Sequence, residues 1–315
     1  MIYTVTLNPA VDYFVHTSDF TVGKVNRAIG EDIFFGGKGI NVSIMLRTLG
    51  VESAALGFVA GFTGAAIEEG VRGMGINTDF VHLPCGFSRI NVKIKGNEET
   101  ELNGRGPEIG EAALDQLFEK LDRLAEGDLL VLAGSVPELL PPDIYSRITA
   151  RLSDRGVLFA VDASGSLLRS VLPHKPFLIK PNHHELAELF GKKALSEDDI
   201  ICLAGKLRDD GAQNVLVSRA GDGAILLSGD GNVYKIDAVK GKVINSVGAG
   251  DSMVAGFLAG WLKTGDYVRA LALGAAAGSA TAFSSGIAER ELVESLSKSV
   301  NVRKIIDKFD FLKYN

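Results

Sequence analysis

From residue 128 onward, short apolar runs alternate with amphipathic segments, and this alternation limits the possible folds most strongly. The runs have the length of strands and are apolar throughout, at 129–132, 158–161, 177–179 and 215–217. Strands of this kind lie in parallel sheets that helices cover on both faces. The pattern predicts an α/β fold with a mostly parallel central sheet. Ligands of such sheets bind at the carboxyl ends of the strands.

Two early regions break the alternation. Segments 11–17 and 28–35, and segments 90–95 and 98–103, have the composition of short strands, and Gly96-Asn97 is a two-residue hairpin turn. They predict a small antiparallel β lid, at approximately 11–35 and 88–104, on a single domain of residues 1–315. One face of the lid must be covered by the main body or by a second subunit, so the sequence is compatible with a homodimer but does not decide it. Residues 302–315 are expected to form a short closing element.

The bulk composition favours small-molecule chemistry in a reducing cytoplasm. The net charge is −6 and no block of basic residues occurs, so neither a nucleic-acid footprint nor a polybasic membrane patch is expected. Cys85 and Cys202 are isolated, which argues against a disulfide scaffold or a structural zinc site. The start of the chain is typical of a first strand and not of a signal peptide. Segment 270–283 is too short to span a membrane and is predicted to be a close-packed buried helix.

Residues 245–252 (NSVGAGDS) place two glycines and a carboxylate where a helix is expected to begin. Gly248, Ala249 and Gly250 would offer unpaired N–H groups to an anion at the positive end of the helix dipole. The carboxylate of Asp251 would repel that anion unless it accepts a proton from a hydroxyl that attacks a phosphate. The motif therefore indicates phosphoryl transfer, although a purely capping role for Asp251 fits the spacing equally well.

Three other glycine-containing segments follow predicted strands. Residues 36–41 (GGKGIN) lack the spacing and hydroxyl of a P-loop, and no G-x-G-x-x-G dinucleotide motif is present. Residues 218–223 (SRAGDG) fit either a hairpin turn or a loop that approaches a nucleotide. Residues 133–137 (AGSVP) indicate no particular function when taken alone.

Residues 180–185 (KPNHHE) allow two compatible interpretations. Asn182 and Glu185 can form a capping box at a helix start, and their oxygens also suit Mg²⁺. Zinc binding by His183 and His184 is disfavoured because adjacent residues on a helix are expected to point apart.

Taken in order, segments 7–12, 36–41, 88–91, 133–137, 180–185 and 247–252 closely resemble the ribokinase/PfkB carbohydrate kinases, within them the branch of 1-phosphofructokinases and tagatose-6-phosphate kinases. The resemblance spans nearly the whole chain and implies a ribokinase-like fold. It also implies ATP-dependent phosphorylation of a ketohexose phosphate, with D-fructose 1-phosphate expected and tagatose 6-phosphate or fructose 6-phosphate as alternatives.

The resemblance also implies roles for individual residues. Asp251 would be the base, and the N–H groups of Gly248, Ala249 and Gly250 would stabilise the transferred phosphoryl. The substrate would be bound by Asp12, Arg27, Gly36, Gly37, Lys38, Asn41, Arg89, Asn91 and Ser135. ATP would be bound by Lys180, Asn182, Ser218, Gly221 and Gly223, with Mg²⁺ organised by Glu185 and Asn182. Many relatives also hold a monovalent cation such as K⁺, here near Asn245, Val247 and Gly286.

A dianionic substrate needs cations in its pocket, and Lys38, Arg27 and Arg89 meet that need if the lid folds over the site. Residues 104–106 (GRG) depart from the expected lid pattern and place the substrate contacts of that hairpin in doubt. A catalytically silent sugar-phosphate sensor is the alternative of another class, although retention of Asp251 argues against it.

Overall fold

A computed structural model describes residues 1–138 and 140–308 of the chain, which form one large and one small sheet. The large sheet contains β1 (Ile2–Thr6), β4 (Ser53–Ala60), β5 (Asn77–Thr78), β6 (Val81–Leu83), β9 (Leu129–Ala133), β10 (Leu158–Asp162), β11 (Leu178–Ile179), β12 (Asn214–Ser218), β13 (Ala224–Leu227), β14 (Val233–Ile236) and β15 (Val302–Ile306). The small sheet contains β2 (Ala10–His16), β3 (Gly30–Gly36), β7 (Arg89–Lys95) and β8 (Glu99–Asn103).

The helices surround the large sheet. They are α1 (Lys38–Thr48), α2 (Gly61–Gly73), α3 (Glu111–Leu121), α4 (Ile144–Leu152), α5 (Gly165–Val171), α6 (His183–Leu189), α7 (Glu197–Asp209), α8 (Ala249–Thr264), α9 (Tyr267–Ala282) and α10 (Arg290–Ser297). In the described part of the chain, none of them has the length and apolar character needed to cross a bilayer.

The large sheet is parallel through its centre and antiparallel at one edge. Its strands run in the order β15-β14-β13-β12-β11-β10-β9-β1-β4-β5, with β6 paired beside β4. Every pairing from β12 to β5 is parallel, whereas β13, β14 and β15 add as antiparallel strands. The predicted α/β class is confirmed. Of the closing element expected at 302–315, residues 302–306 form β15. Residues 309–315 lie outside the described residues.

Two apolar cores cover the two faces of the large sheet. One core includes Leu117 of α3, Ile148 of α4 and Leu203 of α7, and the other includes Met45 of α1 and Phe257 of α8. Central strands are apolar along their whole length because both of their faces are covered. The sheet therefore holds its carboxyl ends as a rigid edge for a site.

Helices α8 and α9 pack more closely than side chains normally allow. A methyl group on Gly256 would lie 2.6 Å from the carbonyl oxygen of Leu273, and one on Gly274 would lie 2.9 Å from that of Met253. Small residues on both helices permit this approach, which confirms the prediction of a close-packed buried helix at 270–283. The close packing extends to the start of α8, since a methyl group on Gly278 of α9 would lie 3.0 Å from the carbonyl oxygen of Ala249.

The small sheet is the predicted lid. Strands β2 and β3 pair antiparallel, as do β7 and β8, and β2 and β7 join the two hairpins in parallel. Asp12 stands beside Asn91 in one cross-strand row, and the next row aligns Ile33, Tyr13, Val92 and Leu102. Because successive residues of a strand point to opposite faces, these rows give the lid a polar and an apolar face.

Candidate active site

The start of α8 exposes backbone donors beside a buried carboxylate. Gly248 precedes the helix with φ 79°, a left-handed conformation. The helix start has no hydrogen bond from a capping side chain. A methyl group on Gly248 would also lie 2.7 Å from Cδ1 of Ile287. Asp251 is the third residue of the helix and is only 5% exposed. The turn therefore requires glycine and leaves N–H groups free next to Asp251.

The side chain of Asn41, on α1, donates a hydrogen bond from Nδ2 to Oδ2 of Asp251 over 2.8 Å. Burial raises the pKa of Asp251 to about 6, and the nearby charge of Asp162 acts in the same direction. The hydrogen bond from Asn41 and the charges of Lys38 and Lys180 lower the pKa and limit this rise. A carboxylate with these properties is ionised at neutral pH and is still basic enough to accept a proton.

Asp162, which the sequence analysis did not identify, joins two lysines next to Asp251. It is the last residue of β10, and its buried Oδ1 lies 3.4 Å from Nζ of Lys38 and 3.4 Å from Nζ of Lys180. Its Oδ2 atom is buried without a hydrogen-bond partner. The signal for it was available, since an acidic residue directly follows the apolar run at 158–161.

Lys38 lies where two cavities meet. It lines a cavity of about 280 Å³ and another of about 1070 Å³. Burial disfavours the charged form of Lys38, but the charges of Asp162, Asp251 and Glu185 outweigh it and raise its pKa. Lys38 is therefore a permanent cation between the two spaces.

The smaller cavity contains several of the predicted substrate residues. Gly37, Lys38, Arg89 and Ser135 line it. Arg89 donates from Nε to the backbone oxygen of Asn8 over 3.0 Å, and burial lowers its pKa from a very high value. The cavity thus has two cations in its wall and suits an anionic ligand.

Two lid residues, Asp12 and Asn91, lie near the hydrogen bond between Asn41 and Asp251, with Gly36 between them and Asn41. Asn91 donates from Nδ2 to Oδ1 of Asp12 over 2.9 Å, and burial raises the pKa of Asp12. A methyl group on Gly36 would lie 2.7 Å from Oδ2 of Asp12 and 3.8 Å from Oδ1 of Asn41. The lid therefore places a polar pair beside the Asn41–Asp251 hydrogen bond.

Arg27 is not brought to either cavity. It lies exposed on the loop between β2 and β3, away from the residues that line the two spaces. All residues of this loop from 18 to 29 are exposed, so the loop lies at the surface. Arg105, in the segment that departs from the expected pattern, borders a separate cavity of about 290 Å³, and its backbone oxygen accepts a hydrogen bond from Asn8.

The larger cavity contains the residues predicted to bind ATP. Its lining includes Lys180, Asn182, Ser218, Gly221, Gly223 and Gly248 to Asp251, together with the apolar side chains of Val239, Val243, Ala275, Ala282 and Phe283. Asn182 and Ser218 form a parallel β-bridge, which joins the ends of two neighbouring strands. A cavity of this size that combines polar and apolar lining groups suits a nucleotide.

The predicted capping box at the start of α6 is present. Oδ1 of Asn182 accepts from the backbone N–H groups of His184 and Glu185, and Oε2 of Glu185 accepts from that of Asn182. The expectation that His183 and His184 point apart was wrong, because their ring centroids lie 3.9 Å apart. Across residues 1–138 and 140–308, no group of three or more His, Cys, Asp or Glu side chains could hold a metal ion.

A protein-family model described as "pfkB family carbohydrate kinase" matches residues 5–292. The chain belongs to the PfkB carbohydrate kinase family. This membership agrees with the parallel sheet, the separate lid and the glycine turn at Asp251.

The PfkB kinase is similar over nearly its whole length to curated relatives. It is 47% identical to a 1-phosphofructokinase of Bacillus subtilis, with 97% of this chain and 100% of the relative covered. It is 41% identical to a D-tagatose-1-phosphate kinase of Bacillus licheniformis, with 96% and 99% covered. The protein is therefore a sugar kinase.

Solved structures show the same fold. A putative phosphofructokinase from Staphylococcus aureus matches with a TM-score of 0.88 and 41% identity, covering 98% of this chain and 100% of that chain. Phosphofructokinase-2 from Escherichia coli, in complex with substrates and products, matches with a TM-score of 0.89 and 25% identity, covering 95% and 98%.

The donors around the PfkB kinase site fit Mg²⁺. The carboxylate of Glu185 borders the larger cavity, as does Asp162 with its buried unpaired Oδ2. Oxygen donors of this kind suit a hard cation that also binds phosphates. For the expected monovalent cation, Asn245 donates from Nδ2 to the backbone oxygen of Ser285 over 2.9 Å, which brings segments 245–247 and 285–286 together.

Proposed function

We propose that the protein transfers the γ-phosphoryl group of ATP to D-fructose 1-phosphate, forming fructose 1,6-bisphosphate and ADP. The observation that carries this proposal is the position of Asp251. It is a buried carboxylate at a helix start, beside Lys38, which borders both a small cationic cavity and a larger cavity lined by polar and apolar groups. The proposal assigns the sugar phosphate to the smaller cavity and the nucleotide to the larger one.

Asp251 would act as the general base. Its ionised carboxylate takes the proton of the sugar hydroxyl while that oxygen bonds to the γ-phosphorus and the bond from phosphorus to the β–γ bridging oxygen breaks. The backbone N–H groups of Gly248, Ala249 and Gly250, with the positive end of the dipole of α8, would stabilise the negative charge on the transferred group. The N–H of Ala249, which donates to the backbone oxygen of Ser246 over 3.3 Å, would exchange this bond for the phosphoryl oxygen. Lys180 would assist, since its Nζ lies close to Gly250.

The sugar would be held by its hydroxyls and by its phosphate. Asp12, Asn41, Asn91, Gly36 and Gly37 would bind the hydroxyls. Lys38, Arg89, Ser135 and Arg27 would bind the phosphate, although Arg27 would first have to move from its exposed position. Closure of the lid over this cavity would exclude water, so that ATP is not hydrolysed.

The nucleotide phosphates would be bound by Lys180, Asn182, Ser218, Gly221 and Gly223. Glu185 and Asn182 would organise Mg²⁺, with Oδ2 of Asp162 as a further oxygen donor. Bound Mg²⁺ would supply positive charge that offsets the negative charge of the nucleotide phosphates. A monovalent cation such as K⁺ would lie near Asn245, Val247 and Gly286.

An assay across substrates tests this assignment. Turnover is measured with fructose 1-phosphate, fructose 6-phosphate, tagatose 1-phosphate, tagatose 6-phosphate and free fructose. We expect the highest kcat/KM with fructose 1-phosphate. Tagatose 1-phosphate is the second candidate, because one relative is named as its kinase. A preference for free fructose would contradict the roles of Lys38 and the two arginines.

Replacing Asp251 by Asn separates a kinase from a silent sugar-phosphate sensor. The variant should lose about 10²-fold or more in kcat and should still bind fructose 1-phosphate, because general bases contribute about 10²- to 10⁴-fold. Calorimetric titration of the sugar phosphate provides the binding control. Equal activity of variant and wild type would remove the general-base role.

The apolar face of the lid leads us to propose a homodimer. Ile33 and Leu102 are 59% and 70% exposed in one cross-strand row with Tyr13 and Val92. Water-exposed apolar strands are normally covered, and a second copy of the chain would provide this cover. We further propose that residues 1–315 act as a single kinase domain with this lid, in the cytoplasm.

A further inference from the structure

The larger cavity has a second pair of cations that have been given no role so far. Arg219, in the loop after β12, and Lys235, on β14, both line the cavity. Nη1 of Arg219 lies 3.3 Å from Oε2 of Glu197, and Nζ of Lys235 lies 2.6 Å from the same oxygen. The two side chains are only 16% and 20% exposed. Arg219 and Lys235 are called the outer cation pair below, and Glu197 is the carboxylate that they share.

The outer cation pair has the same charge pattern as the pair near Asp251. In both cases two cations share a single carboxylate oxygen, that of Asp162 for Lys38 and Lys180 and that of Glu197 for Arg219 and Lys235. Glu197, on the first turn of α7, is not among the residues that line the cavity. Its carboxylate therefore lies behind the cations, and the three side chains together carry a net charge of +1. Asp222, Asp237 and Lys240 also line this cavity.

The strand register places the outer cation pair beside the loop 218–223. Lys235 pairs with Ile225, and Ile225 pairs with Val217, so the three form one row across the sheet. Ser218 begins the next row, and Arg219 follows it. The backbone N–H of Arg219 donates to the oxygen of Gly223 over 2.8 Å, which closes the loop. The cations are thereby fixed at the edge where the loop faces the cavity.

We propose that Arg219 and Lys235 bind the non-transferred phosphates of the nucleotide, and that Glu197 is the residue that positions them. This inference rests on the proposed nucleotide site. Lys180 lies against Gly250, next to the base, where the transferred phosphoryl must be. Arg219 and Lys235 come from other elements and contact the α- and β-phosphates. Guanidinium and ammonium groups form strong charge-assisted hydrogen bonds with phosphate oxygens.

Binding of ATP, ADP and adenosine to the intact protein tests this proposal. We expect Arg219→Gln and Lys235→Gln each to weaken ATP and ADP about tenfold and to an equal extent, because hydrogen bonds to charged groups have this magnitude. Adenosine affinity should stay within about twofold, since it lacks phosphates. Isothermal titration calorimetry measures all three ligands, and thermal unfolding verifies that the variants are folded.

Lys192→Gln is the matched control. Lys192 forms an ion pair with Asp199, which lies on α7 as Glu197 does. Lys192 does not line the cavity. This variant should leave all three affinities unchanged. Glu197→Gln keeps both cations and an oxygen acceptor, so it should lose less ATP affinity than Arg219→Gln.

Three results would overturn the proposal. Unchanged ATP and ADP affinities in both cation variants would remove the phosphate contacts. If a cation variant loses as much affinity for adenosine as for ATP, the ion pairs only maintain the shape of the loop. The same conclusion follows if Glu197→Gln loses as much ATP affinity as Arg219→Gln. If the wild-type protein binds neither ATP nor ADP, the proposed nucleotide site itself is wrong, and the inference fails with it.

Discussion

Asp251 combines two properties that oppose each other, because its burial makes it basic and also makes its charge unfavourable for folding. The pKa of its carboxyl is raised from 3.8 to about 6, with burial as the first cause. A group whose pKa is higher in the folded state than in the unfolded state stabilises the protein at low pH and loses that contribution as pH rises to its folded pKa. At neutral pH the ionised Asp251 therefore reduces stability, as is common at active sites.

We expect Asp251→Asn, with its reduced kcat, to be more stable than the wild type above pH 6. A rise of about two pKa units corresponds to about 3 kcal/mol, so the stability gain should be about 1 kcal/mol larger at pH 8 than at pH 5. Urea unfolding at both pH values measures it. Asp198→Asn, an exposed change on α7, is the control and should show no such gain. A gain that is independent of pH would contradict the assigned pKa shift.

The pH dependence of catalysis provides a second prediction for Asp251. A base must be ionised to act, so kcat/KM should fall as pH drops below about 6. The substrate phosphate also titrates near pH 6, roughly, and would produce a similar fall. Asn41→Leu separates the two, because it removes the hydrogen bond that lowers the pKa of Asp251. The acid limb of the profile should move to higher pH in this variant and stay in place if the substrate alone is responsible.

At the scale of elements, the two ends of α8 carry the same backbone conformation with different consequences. Gly248 before the helix has φ 79° and Gly265 after it has φ 64°. A methyl group on Gly248 would meet Ile287, whereas one on Gly265 would have nothing within 4 Å. The two glycines form a matched pair in which only one lies at the candidate site.

Gly248→Ala should lower kcat about 10²-fold because it displaces the N–H groups proposed to stabilise the transferred phosphoryl. Gly265→Ala should keep full activity and lose only about 1 kcal/mol of stability from the left-handed backbone. Steady-state kinetics and urea unfolding of both variants check the contrast. Equal activity losses in the two variants would indicate a general defect of α8 and not a local one.

Local patterns predicted most of the elements. The apolar runs became β9 to β12, the hairpins became the lid, and Asn182 with Glu185 formed the capping box. These features depend on residues near each other in sequence, for which periodicity and turn chemistry are informative. The parallel contact between β2 and β7 was not predicted, because the register between two hairpins depends on how they pack.

Within one chain the apolar face of the lid is covered only in part, since Val11 and Phe35 pack against a core that includes residues of α2, whereas Ile33 and Leu102 stay exposed. The row of Ile33, Tyr13, Val92 and Leu102 is the clearest part of this face. If a second chain covers it, a charge placed in its centre will oppose association, because a buried unpaired charge is strongly unfavourable.

We therefore expect a dimer for the wild type and a monomer for Ile33→Glu in sedimentation velocity at micromolar concentration. Leu262→Glu is the control, since Leu262 is exposed near the end of α8, a helix that packs on α9 and α1, and its change should leave the dimer intact. A wild-type monomer at every concentration would contradict the proposed dimer. So would an unchanged dimer of Ile33→Glu.

The sequence by itself determined the α/β class, the lid hairpins and the glycine turn that holds Asp251, because each depends on short-range periodicity and backbone conformation. Only the tertiary structure decided which distant groups meet. Asn41 lies 210 residues from Asp251 and donates to it, Asp162 joins Lys38 to Lys180, and Arg27 is left in solvent. Strand order and helix packing fix these contacts, and the buried charges then set one another's pKa values through space.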